Sequence, residues 1–209
     1  MVVMHHIPDW IPYLLRDITW HKDRSAASVY LTFDDGPVPG VTDFVLEQLA
    51  VRGMKASFFV VGDNVRKHPS LAKEVLDAGH SIGNHTFHHL KGTKTSHWTY
   101  LKDTLRCQHC LEDELNFSPN LFRPPYGLMS RLQYSTLKDT YEIVLWDVLS
   151  GDYDMQQDAA TCLLKAKQYT QGGSIVLFHD QEKTRDKIRK ILPDYLSWVE
   201  DQGFFTASL

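Results

Sequence analysis

The sequence predicts an α/β fold, a parallel sheet whose strands are joined by crossover helices, either open or closed into a barrel. Two observations predict it. Seven strand-like runs follow one another, each separated from the next by a helical pattern. The unusual polar residues keep phase with those runs and fall just past their C-terminal ends, where parallel α/β architectures build sites from loops of different strands. The length, 209 residues, suits one domain, and a chain of that size can bury roughly 70% of its unfolded surface.

Residues 1–28 form a lead-in broken by Pro8, Asp9 and Pro12. Residues 29–33 (VYLTF) are a β-branched and aromatic run that stops at Asp-Asp-Gly-Pro, a strand ending hard at a turn. Residues 41–52 carry Val41, Phe44, Val45, Leu46 and Leu49 at helical spacing and close at Gly53. Residues 56–61 are a buried-strand run, and 64–78 a helix with Asn64 as N-cap and Gly79 as stop. A short strand at 80–84 precedes a long helix at 96–116. Residues 121–123 are a strand running into Pro124-Pro125, 130–140 a helix, 142–148 (EIVLWDV) a strand and 155–169 a helix. Strand 174–178, helix 182–201 and strand 204–207 complete the alternation.

Composition excludes several classes. Lys plus Arg is 22 against 26 Asp plus Glu, a net charge of −4, which argues against a nucleic-acid partner. An apolar content of 43% is too high for a disordered chain. No run approaches the roughly 18–20 apolar residues of a membrane span. The N-terminus has no Lys or Arg before Arg16 and no unbroken apolar stretch, so a signal peptide is not visible and the location defaults to the cytoplasm. Eleven His stand against three Cys. Cys107 and Cys110 have CxxC spacing on the 96–116 helix, with His109 on another face, and read as ordinary half-buried thiols; Cys162 stands apart.

The chemistry-bearing residues are few. Asp34 and Asp35 end an apolar strand, where unpaired carboxylates are costly, so a metal, an arginine or helix N–H groups must compensate them. His85 and His89 lie four apart, and on a helical turn both imidazoles would face one way and share a metal; His88 reads as a bystander. Arg123, between Phe122 and Pro124, is held against protein and suits a bidentate pair with a carboxylate. His179 ends the run Ile175-Val176-Leu177-Phe178, either as a proton carrier or as a neutral core histidine. Asp152 follows the fifth strand. Together these residues are the parts of a metal-assisted hydrolase of an acyl group, with one base and one acid.

Thr32-Phe33-Asp34-Asp35-Gly36-Pro37, His85-Thr86-Phe87-His88-His89, Arg123-Pro124-Pro125-Tyr126, Trp146 through Tyr153, and Leu177-Phe178-His179 resemble the five ordered motifs of the polysaccharide deacetylases. That family is also called the NodB-homology domain or carbohydrate esterase family four. The resemblance spans about residues 29–207. It implies a distorted, incomplete (β/α) barrel of about seven parallel strands with outer helices, with 1–28 as a lead-in and 29–209 as the catalytic domain. It implies a divalent metal, zinc or a similar ion such as cobalt or nickel, on Asp35, His85 and His89. Asp34 would be the general base and Arg123 would fix its charge and orientation. The backbone N–H of Tyr126 would stabilise the developing oxyanion. His179 would be the general acid, kept protonated by Asp152. Leu177 would line the acetyl pocket, and Trp146 and Tyr153 would wall the groove.

The implied activity is removal of acetyl groups from an acetylated amino sugar in a poly- or oligosaccharide, with O-deacetylation as a close variant. Two other readings stay open on sequence: a metal amidohydrolase of a non-sugar C–N bond, and a non-catalytic carbohydrate-binding module. The fourth motif departs from the family's Asp-x-x-Asp-Trp. Here it reads Leu149-Ser150-Gly151-Asp152-Tyr153, which keeps the second acid but replaces the first acid and the aromatic.

Overall fold

In the computed structural model, residues 3–209 are described. The elements run α1 (Trp10–Leu14), β1 (Ser28–Asp34), α2 (Thr42–Val51), β2 (Ala56–Val60), α3 (Gly62–Lys67), α4 (Pro69–Asp77), β3 (Ser81–Asn84), α5 (His97–Leu115), β4 (Leu121–Phe122) and α6 (Arg131–Leu137). They continue with β5 (Glu142–Ile143), β6 (Val148–Leu149), α7 (Ala159–Tyr169), β7 (Ile175–His179), α8 (Arg185–Asp201) and β8 (Phe205–Thr206). The sheet order is β5-β4-β3-β2-β1-β7-β6, parallel throughout, and β8 adds to the start of β1. Its two edges, β5 and β6, are neighbours in sequence, so the sheet curls into an incomplete barrel, as the motifs implied.

Side-chain alternation along the strands separates two cores. Leu31 and Phe33 of β1, Phe58 of β2 and Val176 and Phe178 of β7 face the helices, where they meet Val45, Leu49, Ile188 and Leu192. Phe33 stacks on Phe58 and Phe178 at ring distances of 5.1 and 5.9 Å. Truncating such a ring to Ala costs about 3–5 kcal/mol. On the other face Phe59, Leu121, Val144 and Ile175 fill the barrel interior beneath Trp146. Thr32, Asp34, Leu177 and His179 share that inner face, because they alternate with the helix-facing set.

Three local expectations change. The helix predicted over 64–78 is two helices, because His68 before Pro69 leaves helical geometry (φ −134°, ψ 55°) and Pro69 starts α4 at its first position. Asn64 is therefore no N-cap; its Nδ2 donates to the Asp35 carbonyl at 2.7 Å. The helix expected from 155 starts at Ala159, where Asp158 caps it by accepting the Thr161 N–H at 2.6 Å. The helix over 96–116 stands as read, capped by Ser96 and ended by Asn116 in left-handed geometry.

The third change matters most for the site. The strand predicted over 142–148 breaks after Ile143 and resumes at Val148, the first piece pairing with β4 and the second with β7. Its interrupted backbone is satisfied from two sides. From inside, Arg123 donates Nε to the Val144 carbonyl (3.2 Å) and Nη2 to the Leu145 carbonyl (2.9 Å). From outside, the lead-in supplies partners: Leu145 N–H to the Thr19 carbonyl, Ile7 N–H to the Asp147 carbonyl and Leu149 N–H to the His5 carbonyl, each 2.8–2.9 Å. The lead-in thus lies along the open seam of the barrel.

Candidate active site

Parallel register sets the first pair of functional groups side by side. Asp34, last in β1, is opposite His179, last in β7. Their strands are about 4.8 Å apart, so both side chains emerge on the inner face of the same rim. Arg123 follows β4 across the barrel, fully buried, with its guanidinium over the Phe59 ring at 4.0 Å. Its Nη1 donates to Asp34 Oδ1 (2.7 Å) and to Thr32 Oγ1 (2.8 Å). The expected bidentate pairing is not formed, because the other two guanidinium nitrogens hold the seam carbonyls. One arginine therefore fixes the Asp34 carboxylate and the broken strand at once. Removing either charge alone would leave its partner buried, at a cost of about 3–5 kcal/mol.

His179 is set from the opposite side. Asp152 Oδ1 accepts from His179 Nδ1 at 2.8 Å, and Asp152 Oδ2 accepts the His179 backbone N–H, also at 2.8 Å. The proton on Nδ1 is thereby fixed and Nε2 is left for chemistry. Burial works against the imidazolium, but Asp152, helped by Asp35 and Asp34, outweighs it and raises His179 to about 9. Tyr153 closes this corner, its ring edge-on to His179 at 5.3 Å.

The second group is assembled by turns. Asp35 sits at φ 83°, Thr86 at 62° and His89 at 56°. His85 and His89 therefore do not meet on a helical turn as their spacing suggested. The chain after β3 kinks twice through left-handed geometry and folds the rings together at 5.1 Å. Asp103 of α5 holds this turn from behind, accepting the N–H groups of Phe87 (3.0 Å) and His88 (2.9 Å) and pairing with His88 Nδ1. Thus His88, read as a bystander, is a strut of the loop.

Asp35, His85 and His89 are the one group of three potential ligands among the described residues whose donor atoms all lie within 4.8 Å of one another. Two details fit a cation. Asp35 Oδ1 is buried without a hydrogen-bond partner, 3.0 Å from His89 Nε2 and 3.6 Å from His85 Nε2. His85 Nδ1 donates to the Arg123 carbonyl at 2.6 Å, which turns the Nε2 lone pair toward Asp35. Burial pushes His85 down to about 4, so its imidazole is neutral and ready to ligate. Burial would raise Asp35, but His89, His179 and His85 hold it well below the usual carboxylate range.

Of the remaining expected residues, Tyr126 turns its backbone at φ 62° and sets its ring 4.8 Å from His89. Trp146 lies 5.7 Å from the Arg123 guanidinium and against Gly127, where any added Cβ would come within 2.8 Å of the indole. Leu177 is buried on the inner face, two positions before His179. Several residues were not foreseen. Gln181 Nε2 donates to Asp35 Oδ2 at 2.6 Å. Buried Asp180 accepts from Thr42 Oγ1 (2.6 Å) and the Gly36 N–H (3.1 Å), so close that a Cβ at Gly36 would overlap it. Both directly follow His179 in sequence, a signal that was available. Asp103, in mid-helix, carried none.

The polysaccharide deacetylase family model matches residues 21–141. A Bacillus cereus peptidoglycan N-acetylglucosamine deacetylase is 32% identical over 189 residues, 90% of this chain and 88% of that protein. The chain belongs to the polysaccharide deacetylase family. Its enzymes are metal-dependent carbohydrate deacetylases, and Asp35, His85 and His89 form a cluster that could hold a metal ion. A chitooligosaccharide deacetylase of Azorhizobium caulinodans is 31% identical over 75% of each chain. The crystal structure of a peptidoglycan N-acetylglucosamine deacetylase superposes with a TM-score of 0.84 at 27% identity, covering 97% of this chain and 95% of that one. The first three motifs lie inside the matched stretch. Asp152 and His179 lie beyond it, and their pairing rests on the geometry above.

Proposed function

We propose that the protein removes acetyl groups from N-acetylated amino sugars of a glycan, using Asp35, His85 and His89 to hold a divalent ion, zinc by preference for two imidazoles and one carboxylate. One observation carries the reading: three convergent metal donors share a rim with a carboxylate fixed by arginine and an imidazole fixed by carboxylate. The ion would supply Lewis acidity, lowering the pKa of water and polarising the acetyl carbonyl.

The chain's own residues supply the rest. Asp34, held by Arg123, takes a proton from the attacking water, whose oxygen bonds to the acetyl carbon. The backbone N–H of Tyr126 steadies the charge that develops on the carbonyl oxygen. His179, raised by Asp152, gives its Nε2 proton to the amide nitrogen as the C–N bond breaks, so that acetate and a free amine leave. Leu177 bounds the space for the acetyl methyl, and Trp146 and Tyr153 flank the sugar. The names of the relatives support an amino-sugar polymer, with the glycan strand of peptidoglycan ahead of chitin oligomers.

The test is acetate release from N-acetylglucosamine oligomers, peptidoglycan glycan strands and acetylxylan, with zinc added or removed by chelator. Zinc-dependent release from the amino-sugar substrates is expected. Release from acetylxylan alone, or release that survives chelation, would overturn the reading.

A further inference from the structure

A cavity of about 740 Å³ opens beside the rim, between the lead-in and the loop that follows Tyr126. Leu14 and Ile18 of the lead-in, Leu128 of the loop, and Trp20, Tyr134 and Leu145 line it. Trp20 and Leu145 are buried, whereas Leu14 is 67% and Leu128 44% exposed, so a closed base carries an apolar lip open to solvent. Its volume falls within the range of sites that enclose small ligands.

Three observations say what the cavity would hold. The first is continuity. Gly127 lines it, and the preceding residue, Tyr126, packs on His89. One wall of the cavity is therefore adjacent in sequence to a residue that packs on a proposed metal ligand. On the deacetylase reading, on which this inference rests, the glycan runs past the reacting sugar, and its next unit must lie against surface of this kind. The second is lining. Aromatic and aliphatic walls suit the apolar face of a pyranose and the methyl groups of its acyl substituents. The third is charge. Arg16 and Arg131 both line the cavity. Arg16 donates Nε to the Tyr13 carbonyl and lies over the Tyr13 ring at 4.2 Å. The ion pairs within 4.0 Å among the described residues include neither arginine. Asp17 is the one carboxylate of the lining, which it shares with Tyr134. The lining thus carries two guanidinium groups against one carboxylate.

We propose that this cavity is an accessory subsite for a carboxylate-bearing sugar next to the one that is deacetylated. Arg16 and Arg131 take the carboxylate, and the apolar lining packs the sugar ring. The subsite then discriminates between polymers. A glycan alternating N-acetylglucosamine with N-acetylmuramic acid, which carries a lactyl carboxylate, gains affinity that a neutral chitin oligomer does not.

The test is the double variant Arg16→Ala, Arg131→Ala, in which both side chains are exposed and removal leaves the core intact. Its KM for an N-acetylglucosamine–N-acetylmuramic acid tetrasaccharide should rise about tenfold, the scale of one charge-assisted interaction. Turnover should stay within twofold, and kinetics on the chitin tetramer should be unchanged. Binding of the same tetrasaccharide to zinc-loaded Asp34→Asn protein, with and without the two arginine changes, should show the same tenfold loss without catalysis. Unchanged KM and affinity on the acidic glycan, or an equal loss on the neutral tetramer, would overturn the subsite. If no acetate is released from either glycan but the arginine changes still weaken tetrasaccharide binding, the deacetylase reading fails while the carboxylate-binding role of the cavity holds. If acetate is released and the arginine changes alter nothing, the reading stands and the subsite fails.

Discussion

The two halves of the rim are made in different ways. The half proposed to transfer protons, Asp34 with Arg123 and His179 with Asp152, is built at or just past strand ends, with Asp34 and His179 set side by side by sheet register. The half proposed to hold the metal, Asp35 with His85 and His89, is built on turns through left-handed geometry, held from behind by Asp103, Asn64 and Gln181. Strand ends give rigidity without local strain. Turns bring together side chains that no regular element could, but depend on a supporting shell. The two halves should therefore fail differently when broken.

The largest effect is expected from the metal half. His85→Ala leaves two donors; bound metal by elemental analysis should drop to a small fraction of wild type, and acetate release should fall to background. Asp34→Asn attacks the other half and should separate the two. Metal content should hold, because Asp34 is not among the three donors, while kcat falls about 10²- to 10⁴-fold. If that variant loses its metal instead, the division between the halves is wrong.

Asp152→Asn should sharpen the contrast through pH. Since Asp152 raises His179 to about 9, the imidazolium persists through neutral pH and is lost as pH climbs through that value. A cation on Asp35 offsets part of the lift, so the alkaline limb of the wild-type rate lies no higher than about 9. In the variant burial still disfavours the charged ring and its main counterweight is gone, so the limb should move to or below 6.5, the ordinary value. Rates at pH 8 should fall by more than about tenfold while metal content stays constant. Identical limbs in the two proteins would remove His179 as the acid. The smallest effect is expected from the support of the turn. Asp103→Asn keeps the shape but weakens the hold on the N–H groups of Phe87 and His88, and metal affinity by titration should fall about tenfold with kcat at saturating metal unchanged. A fall in kcat with unaltered metal affinity would mean that Asp103 acts on the proton half.

What is legible in the sequence follows the same division. Strands β1, β2 and β7 were legible because each is rich in β-branched, aromatic and aliphatic residues, and Asp34 and His179 were legible as the polar residues that end two of them. The spacing of His85 and His89 pointed to a shared site but to the wrong local geometry, since spacing alone does not report φ. Asn64 was read as a cap because it preceded a helical pattern; what it holds is the Asp35 backbone, twenty-nine residues earlier. Nothing local marked Asp103, whose partners lie across a turn and a helix. The run 142–148 looked like one strand because residues 143–146 are an unbroken apolar stretch. Only its partners, Arg123 inside and the lead-in outside, reveal that its backbone bonds are taken elsewhere.

By itself, then, the sequence determined the alternation of strands and helices, the edge of the sheet where chemistry gathers, and the residue types that gather there. Those are properties of short segments, set by periodicity, turn chemistry and the cost of stranding a charge in an apolar run. Tertiary structure decided where the barrel stays open, which carbonyls Arg123 satisfies besides Asp34, and which distant carboxylate steadies the histidine turn. Those outcomes depend on which surplus donors and acceptors come to lie opposite one another once the sheet has curled, and no window along the chain contains both partners.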